Sequence, residues 1–183
     1  MTYFTHPRWL FTALLLIATV SYAAENLYIG QEKRAIKALS EQEVSDYMNG
    51  RGMGTSKAAE LNHYPGPKHV MDDAAKLGLS ADQINKTRQI YTAMASDATR
   101  VGKEIVHKEA ELEALYAHQQ ASADNTRILV TSLAALQADF RLIHLNAHLG
   151  MRDVLSPQQV ASYDRLRGYD GSQSDDAAHK KHH

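Results

Sequence analysis

The chain has 183 residues, room for one domain, and is 44% hydrophobic but only 7% aromatic, with few β-branched runs, which favours helices over sheets. Its 20 basic and 21 acidic side chains leave a formal net charge of -1, which excludes a strong field drawing the whole molecule to nucleic acid. Cysteine is absent, excluding disulfides, thiolate metal sites, a cysteine nucleophile and an acylated lipoprotein cysteine.

Residues 1–23 read as a cleaved secretory signal. Arg8 precedes an apolar run over 9–20, and Ser21-Tyr22-Ala23 places small residues where a signal peptidase reads them. The run is about a dozen residues, short of the roughly 20 that a membrane span needs. The expected organisation is a leader (1–23), an extension with one short helix (24–51), a helical domain (52–170) and a disordered, histidine-containing tail (171–183). The expected compartment is the periplasm.

One pattern recurs down the chain: Leu39-Ser40-Glu41-Gln42-Glu43-Val44, Leu79-Ser80-Ala81-Asp82-Gln83-Ile84 and Leu155-Ser156-Pro157-Gln158-Gln159-Val160. Each reads as a helix start. The serine caps the N3 amide, Glu or Gln at N3 reaches back to the cap amide, and the flanking Leu and Val or Ile form a staple. Pro157 sits at N1, where its missing N–H costs nothing.

The first helix is predicted over 40–48, ending at Asn49-Gly50. A flexible glycine-rich link, Arg51-Gly52-Met53-Gly54, leads to a short helix over 55–62. Tyr64-Pro65-Gly66-Pro67 breaks the chain, and Pro67 opens a further helix closed by Gly78. A long helix is predicted over 81–118. Its seam is Ile84, Thr87, Tyr91, Met94, Ala98, Val101, Ile105, Lys108, Leu112 and Leu115, in alternating steps of three and four. Lys108 is its one charged break. After a polar turn with Asp124 as N-cap, a second long helix runs to 154 with a seam of Leu129, Leu133, Leu136, Phe140, Ile143, Ala147 and Val154. The last helix covers 157–167 and stops at Gly168. The predicted fold is therefore all-α: a long antiparallel helical hairpin with short flanking helices. A bare hairpin buries one stripe per helix, so the short helices or a second protomer must cover the rest, and a homodimer is expected.

The motif pair Leu79-Ser80-Ala81-Asp82-Gln83 and Leu155-Ser156-Pro157-Gln158-Gln159 resembles the Leu-Thr/Ser-x-x-Gln motifs of the Spy/CpxP family. The segments Tyr64-Pro65-Gly66-Pro67-Lys68-His69-Val70 and Ala161-Ser162-Tyr163-Asp164-Arg165-Leu166-Arg167-Gly168-Tyr169 resemble its periplasmic heavy-metal-sensor branch. The resemblance spans roughly residues 52–170. It implies a cradle-shaped helical homodimer without an ATP site. The implied roles are shielding unfolded envelope proteins, restraining a membrane sensor protein, or responding to metal. The motif residues Leu79, Ser80, Gln83, Leu155, Ser156 and Gln159 mark helix caps and do not choose among these roles. One departure stands out. Chaperone members carry a basic concave face, whereas the long helix here mixes Lys86, Arg88, Arg100, Lys103 and Lys108 with Asp97, Glu104, Glu109, Glu111 and Glu113.

His144 and His148 stand four apart, so both imidazoles leave one helix face beside the apolar seam, with Met151 one turn on. The plain alternative is two partly exposed histidines bordering a helix interface. As ligands they need partners from His69, His63, Glu60 or a second protomer. His69 is preferred because the Pro67 helix should cross the hairpin. Imidazoles without thiolate suit zinc, copper(II), nickel or cobalt, although no cofactor is required. His179, His182 and His183 form a second cluster in the tail.

Client-facing candidates are Met94, Val101, Ile105, Leu129 and Phe140, although such positions are more often plain core. Gly50-Arg51-Gly52-Met53-Gly54 lacks dinucleotide-binding spacing and follows no strand, residues 52–57 lack the glycine of a phosphate loop, and no His-Glu-x-x-His occurs. The expectation is a binding protein rather than an enzyme.

Overall fold

The computed structural model describes residues 28–169. The expected leader over 1–23 and the tail with His179, His182 and His183 lie outside the described residues. After a 3-10 turn at Gln31–Lys33 come α1 (Glu41–Met48), α2 (Lys57–Glu60), α3 (Pro67–Asp72), α4 (Ala81–Ala117), α5 (Ala123–Val154) and α6 (Pro157–Arg167), with no strand among the described residues. The fold is all-helical. The 37 residues of α4 make it about 55 Å long at 1.5 Å per residue.

Capping boxes at Ser40, Ser80 and Ser156 start α1, α4 and α6, each serine accepting the N3 amide. A fourth box corrects the expected cap of α5: Ser122, not Asp124, accepts the Asn125 amide, and Asn125 Oδ1 accepts the Ser122 N–H. Asparagine thus fills the N3 place held by Glu or Gln elsewhere. The two middle helices are shorter than expected. α2 spans only Lys57–Glu60, and α3 stops at Asp72, where turns with bonds Ala74 N–H to Met71 O and Gly78 N–H to Ala75 O carry the chain onward. Gly78, at φ 62°, closes that turn rather than a helix.

The motif glutamines do more than cap. Gln83 and Gln159 pair their side-chain amides reciprocally, at 2.7 and 3.1 Å. Gln83 also donates to the Val154 carbonyl, and Gln159 to those of Leu77 and Gly78. The two motifs therefore meet, tying the starts of α4 and α6 to the end of α5.

Helices α4 and α5 pack along each other; α1 lies on α4, α2 on α5, and α3 on both. Two apolar clusters result. At the base, Val70, Leu77, Met151, Leu155, Val160 and Tyr163 close together. Higher up, Ala98, Val101, Ile105, Leu133 and Phe140 pack beneath Tyr47 of α1. Tyr47 meets Phe140 edge-on at 5.3 Å. α1 comes this close because position 102 is glycine: a Cβ there would stand 2.0 Å from the Tyr47 carbonyl oxygen.

This packing corrects the client-facing set. Val101, Ile105 and Phe140 are closed core, because α1 covers the stripe that was expected to face a client. Met94 is half-buried and lines a partly open cavity, and Leu129 is half-buried near the hairpin tip. The mixed charges of α4 are largely paired along the helix itself, as in Arg100 with Asp97 and Glu104, and Lys108 with Glu111.

Candidate functional site

The α2–α3 connection is held down on α5. The Arg152 guanidinium donates to the His63 carbonyl and stacks over the Tyr64 ring, while Pro65 and Pro67 are fully buried. That anchoring sets the Tyr64 carbonyl against His148, whose Nδ1–H donates to it at 2.7 Å. On the other side, Gly50, at φ 63° after α1, brings its carbonyl to His144. Residues from α2, α3, α4, α5 and α6, with the segments around Gly52 and Gly66, line a partly open cavity of about 530 Å³, a volume suited to a small ligand.

All three sequence-predicted metal ligands, His69, His144 and His148, line this cavity, together with Glu60. His144 and His148 are only 5% and 6% exposed, which corrects the expectation of partly exposed interface histidines. The loops that follow α1 and α2 cover them. His63, by contrast, is exposed and pairs with Asp164 at 2.9 Å. Met151 is buried in the base cluster.

Each polar group in the cavity has a distinct state. His148 commits its Nδ1–H to the Tyr64 carbonyl, which fixes the ring and turns the Nε2 edge toward Gly66, the kind of second hydrogen bond that orients imidazole ligands elsewhere. Glu60 Oε1 accepts the Tyr163 hydroxyl at 2.6 Å and the Tyr169 hydroxyl at 3.2 Å, with Arg167 at 3.5 Å. Glu60 Oε2 is buried with no hydrogen-bond partner, 3.7 Å from His148 Nδ1. An orphaned carboxylate oxygen in such a place is costly unless something occupies it. Burial, reinforced by the Arg167 charge, holds the His69 imidazole below the usual histidine range, favouring the neutral form. Burial, with Glu60 alongside, pushes the Tyr163 hydroxyl far up, so it stays a donor. His144 stands between two carbonyls, Nδ1 2.8 Å from Phe140 O and Nε2 3.2 Å from Gly50 O.

Two glycines that sequence reasoning passed over shape the site. A Cβ at Gly66 would lie 3.3 Å from His148 Nε2 and 3.4 Å from Glu60 Oε2, and one at Gly52 would lie 3.2 Å from His144 Nε2. Each glycine keeps clear the Nε2 edge of one histidine. The predicted flexible link is thus a wall of the cavity. No local signal marks this, since Gly50 and His144 are 94 residues apart.

No protein-family model, curated protein or solved structure matches the chain. The cavity's donors, imidazole and carboxylate, fit a transition metal in kind. They fall short in number, since no three His, Asp or Glu side chains among the described residues stand together closely enough to hold an ion.

Proposed function

We propose that the chain is a periplasmic, ATP-independent envelope-stress protein of the Spy/CpxP type, which binds unfolded proteins on a helical surface and catalyses no reaction. The outer face of α5 supports this reading. Ile128, Leu142 and Leu149 are 67%, 52% and 53% exposed, and with Ala135 they recur every seven residues along one stripe. α5 is long and apolar enough to cross a membrane by length and composition, yet only 17% of its most apolar window is buried. An apolar stripe of that length in water is the kind of surface that meets another apolar surface. Unfolded chains satisfy it through shallow contact, and release follows as they bury their own apolar residues. A homodimer would set two such stripes into one cradle. The test is aggregation of a chemically denatured client followed by light scattering, with molar mass measured in parallel. Suppression at equimolar protein, lost in Leu142→Ser/Leu149→Ser, is expected. An unchanged scattering trace sinks the reading, and loss of a dimer alone in the variant reassigns the stripe to self-association.

A second reading, a periplasmic heavy-metal sensor or buffer, is favoured by the convergence of His69, His144, His148 and Glu60 on one cavity. His148 Nε2 and Glu60 Oε2 would be the first donors, with His69 the next nearest in chemistry. Calorimetric titration with zinc, copper(II), nickel and cobalt tests it; equal affinity in a His144→Ala/His148→Ala variant removes the pair.

A further inference from the structure

We propose that the cavity lined by the glycine-rich segment after α1, α3 and α4 binds a small organic monoanion, a carboxylate carried on an aromatic or aliphatic body. The inference is independent of both the client-binding and the metal-binding readings.

The charged lining selects the sign and number of charges on the ligand. Arg51, Lys57, Lys68 and Arg167 line the cavity, against a single lining carboxylate, Glu60. Three of these cations are already paired: Arg51 with Asp46 at 2.9 Å, Lys68 with Asp72 at 2.8 Å, and Arg167 with Glu60 at 3.5 Å. Lys57 has no carboxylate partner among the described residues. One unpaired cation attracts one negative charge, whereas the second charge of a dianion would meet Glu60 with no free cation to offset it.

The segment also supplies hydrogen-bond donors. The Lys57 side chain lies over Gly54, where a Cβ would stand 3.0 Å from Cε and 3.5 Å from Nζ, and Gly54 occupies the left-handed region at φ 80°. The main-chain amides of Gly52, Met53 and Gly54 donate no hydrogen bond among the described residues, and all three residues line the cavity. Unclaimed N–H groups beside an ammonium are donors that carboxylate oxygens use.

The apolar lining sets the body of the ligand. Tyr91 and Met94 of α4, both half-buried, and the buried Pro67 of α3 contribute it. Met53, 39% exposed, adds a flexible thioether, a side chain that adapts to flat apolar surfaces.

Calorimetry on the full chain, freed of metal by a chelating resin, tests this with four naphthyl probes: the carboxylate, its neutral amide, the methylammonium and the phosphate. The carboxylate should bind about tenfold or more tighter than the amide. Lys57→Gln, at an exposed side chain, should remove most of that advantage and leave amide binding unchanged. Ala95→Phe, which narrows the cavity, should weaken both, with circular dichroism showing that the helices persist. Equal affinity for acid and amide, unchanged carboxylate affinity in Lys57→Gln, or tighter binding of the ammonium or the phosphate overturns the monoanion. Carboxylate binding that appears only when zinc(II) is added back overturns the direct contact and assigns the cavity to metal. No binding by any probe overturns the site, while client binding, measured separately, stands or falls on its own result.

Discussion

At the base of the hairpin, polar groups sit inside: Glu60, Asp164, His144 and His148 are buried or nearly so. Along the outer face of α5, Ile128, Leu142 and Leu149 face water. Each region inverts the usual partition of residues, and for different reasons. Among the described residues only Thr55 Oγ1, Glu60 Oε2 and Asp164 Oδ1 are buried side-chain atoms without a hydrogen-bond partner, so this inversion is a built interior with a few open valences. The α5 face has neither hydrogen bonds nor a covering element, so its inversion is an unfinished interface. The outer face of α4 provides the control, since the same helical geometry there carries charges paired along the helix, as at Arg100 and Glu104. Apolar character outside is thus a property of α5 and not of long helices in this chain.

That contrast can be broken most forcefully at Tyr163, fully buried and bonded to Glu60. Tyr163→Ala should cost about 3–5 kcal/mol in urea unfolding, the range for buried aromatic truncation, and an effect near zero would mean that the base is not a packed interior. Gly66→Ala comes next. Its backbone, φ -82° and ψ 138°, suits alanine, but the new methyl would sit 3.0 Å from His148 Cε1. A loss of about 1–3 kcal/mol from overpacking is expected, together with weaker metal binding in calorimetry. On the outer face, Leu142→Ser and Leu149→Ser should each move stability by no more than about 0.5 kcal/mol. If either destabilises the isolated protomer strongly, the stripe is not free. The smallest effect concerns pH. His69 has its folded-state pKa lowered by burial, so below its unfolded value the denatured chain takes up a proton that the native state resists. Native stability should therefore fall as pH drops from about 7.5 to 5.5, and His69→Gln should flatten that slope. An identical slope in the variant assigns the fall to other groups.

The fold was legible where its determinants are local. Ser40, Ser80 and Ser156 announce helix starts within five residues, and the seams of α4 and α5 follow from spacing alone. The convergence of His69 with His144 and His148 was also within reach, because Pro67 dictates a helix that crosses the hairpin. Three things were not. Phe140, Val101 and Ile105 carry the same seam signature whether a client or α1 covers them, and only the Gly102 contact decides. The depth of His144 and His148 depends on loops far away in sequence. Gly52 and Gly66 act by what they lack, and a missing side chain leaves no periodic trace.

The reciprocal amide pair of Gln83 and Gln159 binds the fates of two distant positions. Each amide gives and receives, so a carboxylate at either would set oxygen against oxygen and leave the Val154 or Leu77 carbonyl without its donor. Sequence drift at one glutamine is therefore tolerable only with a matching change at the other, and relatives of this chain should vary at the two sites in concert or not at all.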